Sequence, residues 1–217
     1  MSRATLVVEV SQDATETLIA GQPYASVAAQ VPAPEPVPVT LLASQASPAG
    51  QWLAQRKTGE SILISGALAL EPDTGVPQVF VQVATEATPN QYLCEVVLVG
   101  RLSGDVREAP KSVSRSLAVN GFDRDKKEPT TDWYQFRGYN SLKERLAKAE
   151  KGSLCSVAGS LGCRTNKEGN PYYEVTARSF QVHRKGGQGT YNPAAGKNAV
   201  GYAQADFSDD MPSDWND

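Results

Sequence analysis

The chain repeats itself. Gly59, Gly66 and Leu68 recur as Gly152, Gly159 and Leu161 at a constant offset of 93 residues, and Leu53 and Leu146 fall on the same offset. In 217 residues such a period leaves room for two copies of one small unit and a tail. Each copy sets a short helix ahead of its glycines. Ser47 and Pro48 read as an N-cap and a first helical position, with Ala49, Trp52 and Leu53 on the buried side and Gly59 at the exit. In the second copy Ser141 and Glu144 read as a capping box, in which each side chain satisfies an orphan amide near the other. Leu142, Leu146 and Ala149 line one face of that helix, and Gly152 closes it.

Strand patterns surround both helices. In the first copy they cover residues 5–10, 25–31, 37–43, 61–70 and 79–84; in the second, 92–102, 114–119, 133–139, 154–163 and 172–182. Three strands, a helix and two strands, twice over, predict an all-β chain of two tandem five-stranded OB barrels with the helix between strands 3 and 4. Residues 85–90 read as a polar linker, which divides the chain into units at 1–90 and 91–185. From 186 onward glycine is frequent and apolar periodicity is lost, so 186–217 reads as a disordered linker and acidic tail.

Charge divides along the same boundaries. Residues 1–90 carry three basic side chains (Arg3, Arg56, Lys57) against eight acidic, a net of −5. Residues 91–185 carry 17 basic against 11 acidic, a net of +6, and 186–217 carry Lys197 against five aspartates, a net of −4. The overall −3 therefore conceals a basic domain between two acidic segments. Cys94, Cys155 and Cys163 are odd in number and strand-bound, and with one histidine, His183, they form no zinc pattern; packed, reduced thiols are expected. No metal or other cofactor is expected. The lone histidine and the absence of a phosphate loop argue against an enzyme. No apolar run nears the roughly 20 residues needed to span a bilayer, and the opening residues do not resemble a secretory signal, so a cytoplasmic protein is expected.

Unpaired nucleic acid requires cations to follow its phosphates and aromatic faces to stack its bases. The second unit carries both: Arg101, Arg107, Lys111 and Arg115 around its first two strands, and Phe122, Arg124, Lys126 and Lys127 in a long hairpin. Trp133, Tyr134, Phe136, Arg137 and Tyr139 follow in the third strand, and Arg164, Lys167, Tyr172 and Tyr173 in a second hairpin. About half the aromatics of an alternating strand face the core, so Trp133 is assigned to the binding face and Phe136 to the interior. Phosphates are assigned to Arg101, Arg107, Arg115, Lys126, Lys127, Arg137 and Arg164; stacking is assigned to Phe122, Trp133 and Tyr172 or Tyr173.

Residues 92–184 resemble the DNA-binding domain of the bacterial and phage single-stranded DNA-binding proteins. The resemblance rests on 95–107, on 116–120, on Asp132 with Trp133, on 151–153 leading to 159–161, and on 173–175. It departs at Asn166, where the family often has an aromatic. The tail, through Asp206, Phe207, Asp209, Asp210, Met211 and Pro212, resembles the family's acidic partner-docking peptide, with Trp215 as a further apolar anchor. Family tails end on an aromatic after the proline, whereas here residues 213–217 follow. The resemblance implies sequence-independent binding of single-stranded DNA in replication, recombination and repair, with the tail recruiting proteins. It also implies a homodimer. The acidic first unit, with three cations, is assigned an oligomerisation or scaffold role. The competing expectation is an OB-fold protein-interaction module with little DNA binding.

Overall fold

The computed structural model describes residues 1–186 except 34, 73, 90, 105, 124–127, 167 and 168, and describes no side chains at 122, 123, 128 and 129. The first unit runs β1 (Ser2–Val10), β2 (Thr15–Ile19), β3 (Gln22–Val31), β4 (Val37–Ser44), α1 (Pro48–Leu53), β5 (Ser61–Leu70) and β6 (Pro77–Glu86). The second runs β7 (Cys94–Leu102), β8 (Arg107–Glu108), β9 (Ser112–Asp123), β10 (Glu128–Tyr139), α2 (Ser141–Lys148), β11 (Leu154–Thr165) and β12 (Pro171–Arg184). All ten expected strands are present. Each unit closes on itself, in the order β1-β3-β4-β6-β5 and back to β1, and β7-β9-β10-β12-β11 and back to β7. In both barrels the third and fifth strands run parallel and the other pairs antiparallel, as an OB fold requires. No helix among the described residues is long and apolar enough to cross a membrane.

The repeated residues mark the points where the barrel is most constrained. Gly59 and Gly152 leave the helices at φ +86° and +79°, a conformation that side chains with a Cβ rarely adopt. Gly66 and Gly159 sit at matching β-bulges, and a methyl on either would run into the carbonyl oxygen of Phe80 or Thr176 across the sheet. Leu53 and Leu146 are fully buried under their barrels.

Three local expectations are corrected. Helix α1 has its predicted cap, the Ser47 hydroxyl accepting from the Gly50 amide at 3.0 Å. Helix α2 has no capping box: Asn140, at φ 50° and without a side-chain cap, precedes Ser141, which is already helical. The tight left-handed turn out of β10 moves the helix start back by one residue. Strand β6 also continues through Glu86, pairing with Ile62, so the first two of the six expected linker residues are sheet. Finally, the short strands β2 and β8 are additions to the expected set; neither has a continuous buried side.

The two barrels share one sheet. β1 lies antiparallel against β7 from Ser2↔Leu98 to Leu6↔Cys94. At the middle of that ladder Ala4 pairs with Val96, which holds in the second barrel the position that Ala4 holds in the first. The Tyr134 hydroxyl donates across the junction to the Leu68 carbonyl at 3.1 Å, where burial and the neighbouring Asp132 carboxylate hold its pKa well above the phenol range. Cys94, Cys155 and Cys163 are unpaired thiols, and burial raises the pKa of all three, that of Cys155 to about 11.

Candidate nucleic-acid interface

Alternation along β10 sorts its aromatics. Tyr134 and Phe136 point inward, Phe136 with no exposure and stacked on Phe180 at 6.1 Å. Trp133 is 36% exposed, and Gln135, Arg137 and Tyr139 follow it on the outer face. The division of Trp133 from Phe136 is the one expected.

Two rows of side chains cross this outer face perpendicular to the strands. In the first, Ala118 of β9 lies opposite both Arg101 of β7 and Trp133 of β10. In the second, Ser114 of β9 lies opposite both Arg107 of β8 and Arg137 of β10, and Arg137 pairs onward with Thr176 of β12. The rows are four residues apart along β9, roughly 13 Å at ~3.3 Å per residue. Each sets a small residue between large ones, leaving a shallow floor flanked by cations and, in one case, an indole. The exposed Arg101 is fixed by donating to the Gly152 carbonyl at 3.0 Å.

The same ladders can be followed in the first barrel. The row equivalent to Arg101–Ala118–Trp133 is Glu9–Gln30–Pro38. The row equivalent to Arg107–Ser114–Arg137–Thr176 is Thr15–Ser26–Leu42–Phe80. Every cation and the indole of these two rows are replaced, in one position by a carboxylate.

Below the second row lies a residue that sequence reasoning missed. Glu174 of β12 is 1% exposed, yet it is a carboxylate on the outer face, opposite Gln135. Arg137 donates to it through Nε at 3.1 Å, and Arg164 through Nε at very short range. The guanidinium ends turn outward, with the Arg164 side chain 43% exposed and its Nη2 at 3.5 Å from the Tyr139 hydroxyl. The trio retains one net positive charge. Hydrogen bonding to Glu174 holds the Arg164 pKa above even the usual guanidinium range. A lone carboxylate within the apolar run of β12 was the available signal.

The two tyrosines of the second hairpin separate. Tyr172 lies opposite Arg164 and two residues before Glu174, on the outer face. Tyr173 packs against the core with Cys163, and burial raises its hydroxyl pKa. Of the two, Tyr172 alone lies on the outer face.

Arg115 is a correction. It is 3% exposed and faces the interior, opposite Phe136. Its guanidinium donates to the carbonyls of Leu146 at 3.0 Å, Ala149 at 2.6 Å and Ser103 at 3.0 Å. It therefore ties the end of α2 to the turn after β7 and does not present itself to a phosphate. Its phase with the apolar Val113, Leu117 and Val119 was the overlooked signal. The Phe122 side chain, Lys126 and Lys127 lie outside the described residues, as do Asp206, Phe207, Asp209, Asp210, Met211, Pro212 and Trp215 of the tail.

No family model and no curated protein matches the sequence. Among solved structures, the wild-type single-stranded DNA-binding protein from Thermus aquaticus superposes with a TM-score of 0.59 at 18% identity, over 86% of this chain and 94% of that one. A deletion mutant of the same protein gives 0.58 at 16% identity, over 84% and 94%. At such identities the likeness is one of fold. The chain has, over most of both lengths, the fold of the single-stranded DNA-binding protein of Thermus aquaticus.

Proposed function

We propose that this chain binds single-stranded DNA without sequence preference and without catalysis, chiefly through its second barrel. The observation that carries the reading is the contrast between the two barrels: Arg101–Ala118–Trp133 in one becomes Glu9–Gln30–Pro38 in the other. A surface kept merely soluble has no reason to place an indole and an arginine astride a small residue in only one of two equivalent barrels. Stacked bases contribute about 1–3 kcal/mol each, and phosphates supply a salt-dependent, sequence-independent remainder. Trp133 and Tyr172 act as stacking faces, and Arg101, Arg107, Arg137 and Arg164 hold phosphates. Lys126, Lys127 and Phe122 extend the interface along the first hairpin.

The first barrel, residues 1–90, serves as scaffold and self-association module, and 91–185 as the DNA-binding unit. The replacement of Arg107 and Arg137 by Thr15 and Leu42, with Phe80 beside them, favours protein over phosphate on the first barrel's outer face. A homodimer fits the outer face of the shared sheet, where Val83 and Val97 are exposed. The tail recruits replication, recombination and repair proteins to the coated strand, in the cytoplasm at the nucleoid. Titrating a labelled single strand at two salt concentrations tests the reading: binding tightens steeply at low salt. A salt-insensitive or absent interaction overturns it.

A further inference from the structure

The first row does not stop at Arg101. Leu154 of β11 lies opposite Arg101 on one side and opposite Arg184 of β12 on the other. Trp133, Ala118, Arg101, Leu154 and Arg184 thus form one transverse line over five neighbouring strands. These are all five strands of the closed barrel, so the line runs around its wall, and four strand spacings of ~4.8 Å make that path about 19 Å long. Arg101 and Arg184 are both exposed, with the half-buried Leu154 between them, which repeats the pattern of a low residue flanked by large side chains.

The far end of the line is anchored. The Gly186 amide donates to the Ser153 hydroxyl at 2.9 Å, fixing the chain just past Arg184 and Lys185 against the exit of α2. The His183 ring sits 2.9 Å from the Ser156 hydroxyl, which also holds this end of β12 on β11. Lys151, in the turn that Arg101 grips through Gly152, lies against Gly104. Arg101, Lys151, Arg184 and Lys185 therefore gather at one end of the barrel, in line with Trp133.

We infer that Arg184, with Lys185 beside it, is a phosphate-binding extension of the interface, and that a long single strand leaves Trp133 across the strands, past Arg101, to Arg184. The inference rests on the proposed function above. Its signature is dependence on strand length, because a short strand is satisfied at the aromatic face and a long one reaches the extension.

The test measures affinity for oligothymidylates from about 4 to about 16 nucleotides, the range of OB-fold site sizes. Full-length wild type is compared with Arg184→Gln, Arg184→Gln/Lys185→Gln and Arg178→Gln. The last removes one charge from β12 at the exposed pair with Glu95, away from the line. Wild-type and Arg184 variants should bind the shortest strand alike and diverge as length grows. On the longest strand the plot of log affinity against log salt should be shallower by about 0.7 for each phosphate no longer neutralised. A ratio that is the same at every length overturns the extension, as does an equal, length-dependent loss in Arg178→Gln. If wild type binds no strand at any length, the proposed function itself fails. Thermal unfolding of each variant separates any folding defect from these readings.

Discussion

Arg137 donates its Nε–H to the Glu174 carboxylate at 3.1 Å, and that carboxylate is almost wholly hidden beneath the guanidinium and its neighbour Arg164. A buried anion is tolerated when charged donors satisfy it, and two do. In return, two long side chains that would otherwise swing freely have their inner nitrogens fixed and their outer ones turned to solvent. Glu174 is thus a positioning residue under the second row.

Replacing Glu174 with Gln keeps the shape and removes the charge. Both arginines lose a charge-assisted partner, and the loss should cost about 2 kcal/mol in urea unfolding. The variant carries one more positive charge than wild type. Simple electrostatics would tighten DNA binding, whereas loss of positioning would offset that gain. Affinity at or below wild type, measured on fully folded protein, supports the positioning role, and clearly tighter binding contradicts it.

Arg115 separates folding from binding. Arg115→Met leaves the carbonyls of Leu146, Ala149 and Ser103 without their donor and should destabilise by about 2–4 kcal/mol. DNA affinity per folded molecule should stay within about twofold of wild type. Arg101→Gln should do the reverse, leaving the unfolding midpoint nearly unchanged and flattening the salt dependence of binding by about 0.7. A binding defect in Arg115→Met below its unfolding transition would argue against this division.

The bulge glycines should be equally intolerant of change. Gly66→Ala and Gly159→Ala each drive a methyl into a backbone carbonyl oxygen that cannot move without breaking the ladder. Each should cost about 2–3 kcal/mol or more by chemical denaturation. Equal penalties in both barrels would show that the repeat is structural, whereas a neutral alanine at either site would contradict the bulge geometry.

Much of this fold was legible in the repeat because its residues are those for which geometry permits little else: left-handed glycines at the helix exits, bulge glycines, and leucines beneath the barrels. Strands with one buried side were legible too, through alternation. β2 and β8 were not, since residues such as Thr15, Glu16 and Arg107 are exposed and leave no apolar phase to detect. Arg115 was misassigned because its charge was weighed above its phase. Glu174 became intelligible only when β10, β11 and β12 brought Arg137 and Arg164 over it, a juxtaposition of residues up to 37 positions apart.

Burial of the Cys155 thiol makes a prediction about pH. Its folded pKa of about 11 lies above the ordinary 9.0, so the native state keeps a proton that the unfolded chain releases. Stability is independent of this group below pH 9 and falls as pH rises from 9 towards 11. Unfolding free energies of wild type and Cys155→Ala should therefore converge over that window. A constant difference between them would contradict the burial of the thiol.

The most direct test of the central claim is the affinity of full-length Trp133→Ala for an oligothymidylate, measured beside wild type at low and moderate salt. Loss of one stacked base predicts binding weaker by about 1–3 kcal/mol, roughly five- to 150-fold, with the salt slope unchanged because no cation is removed. If Trp133→Ala binds as tightly as wild type, the outer face of the second barrel is not where bases stack, and the account fails.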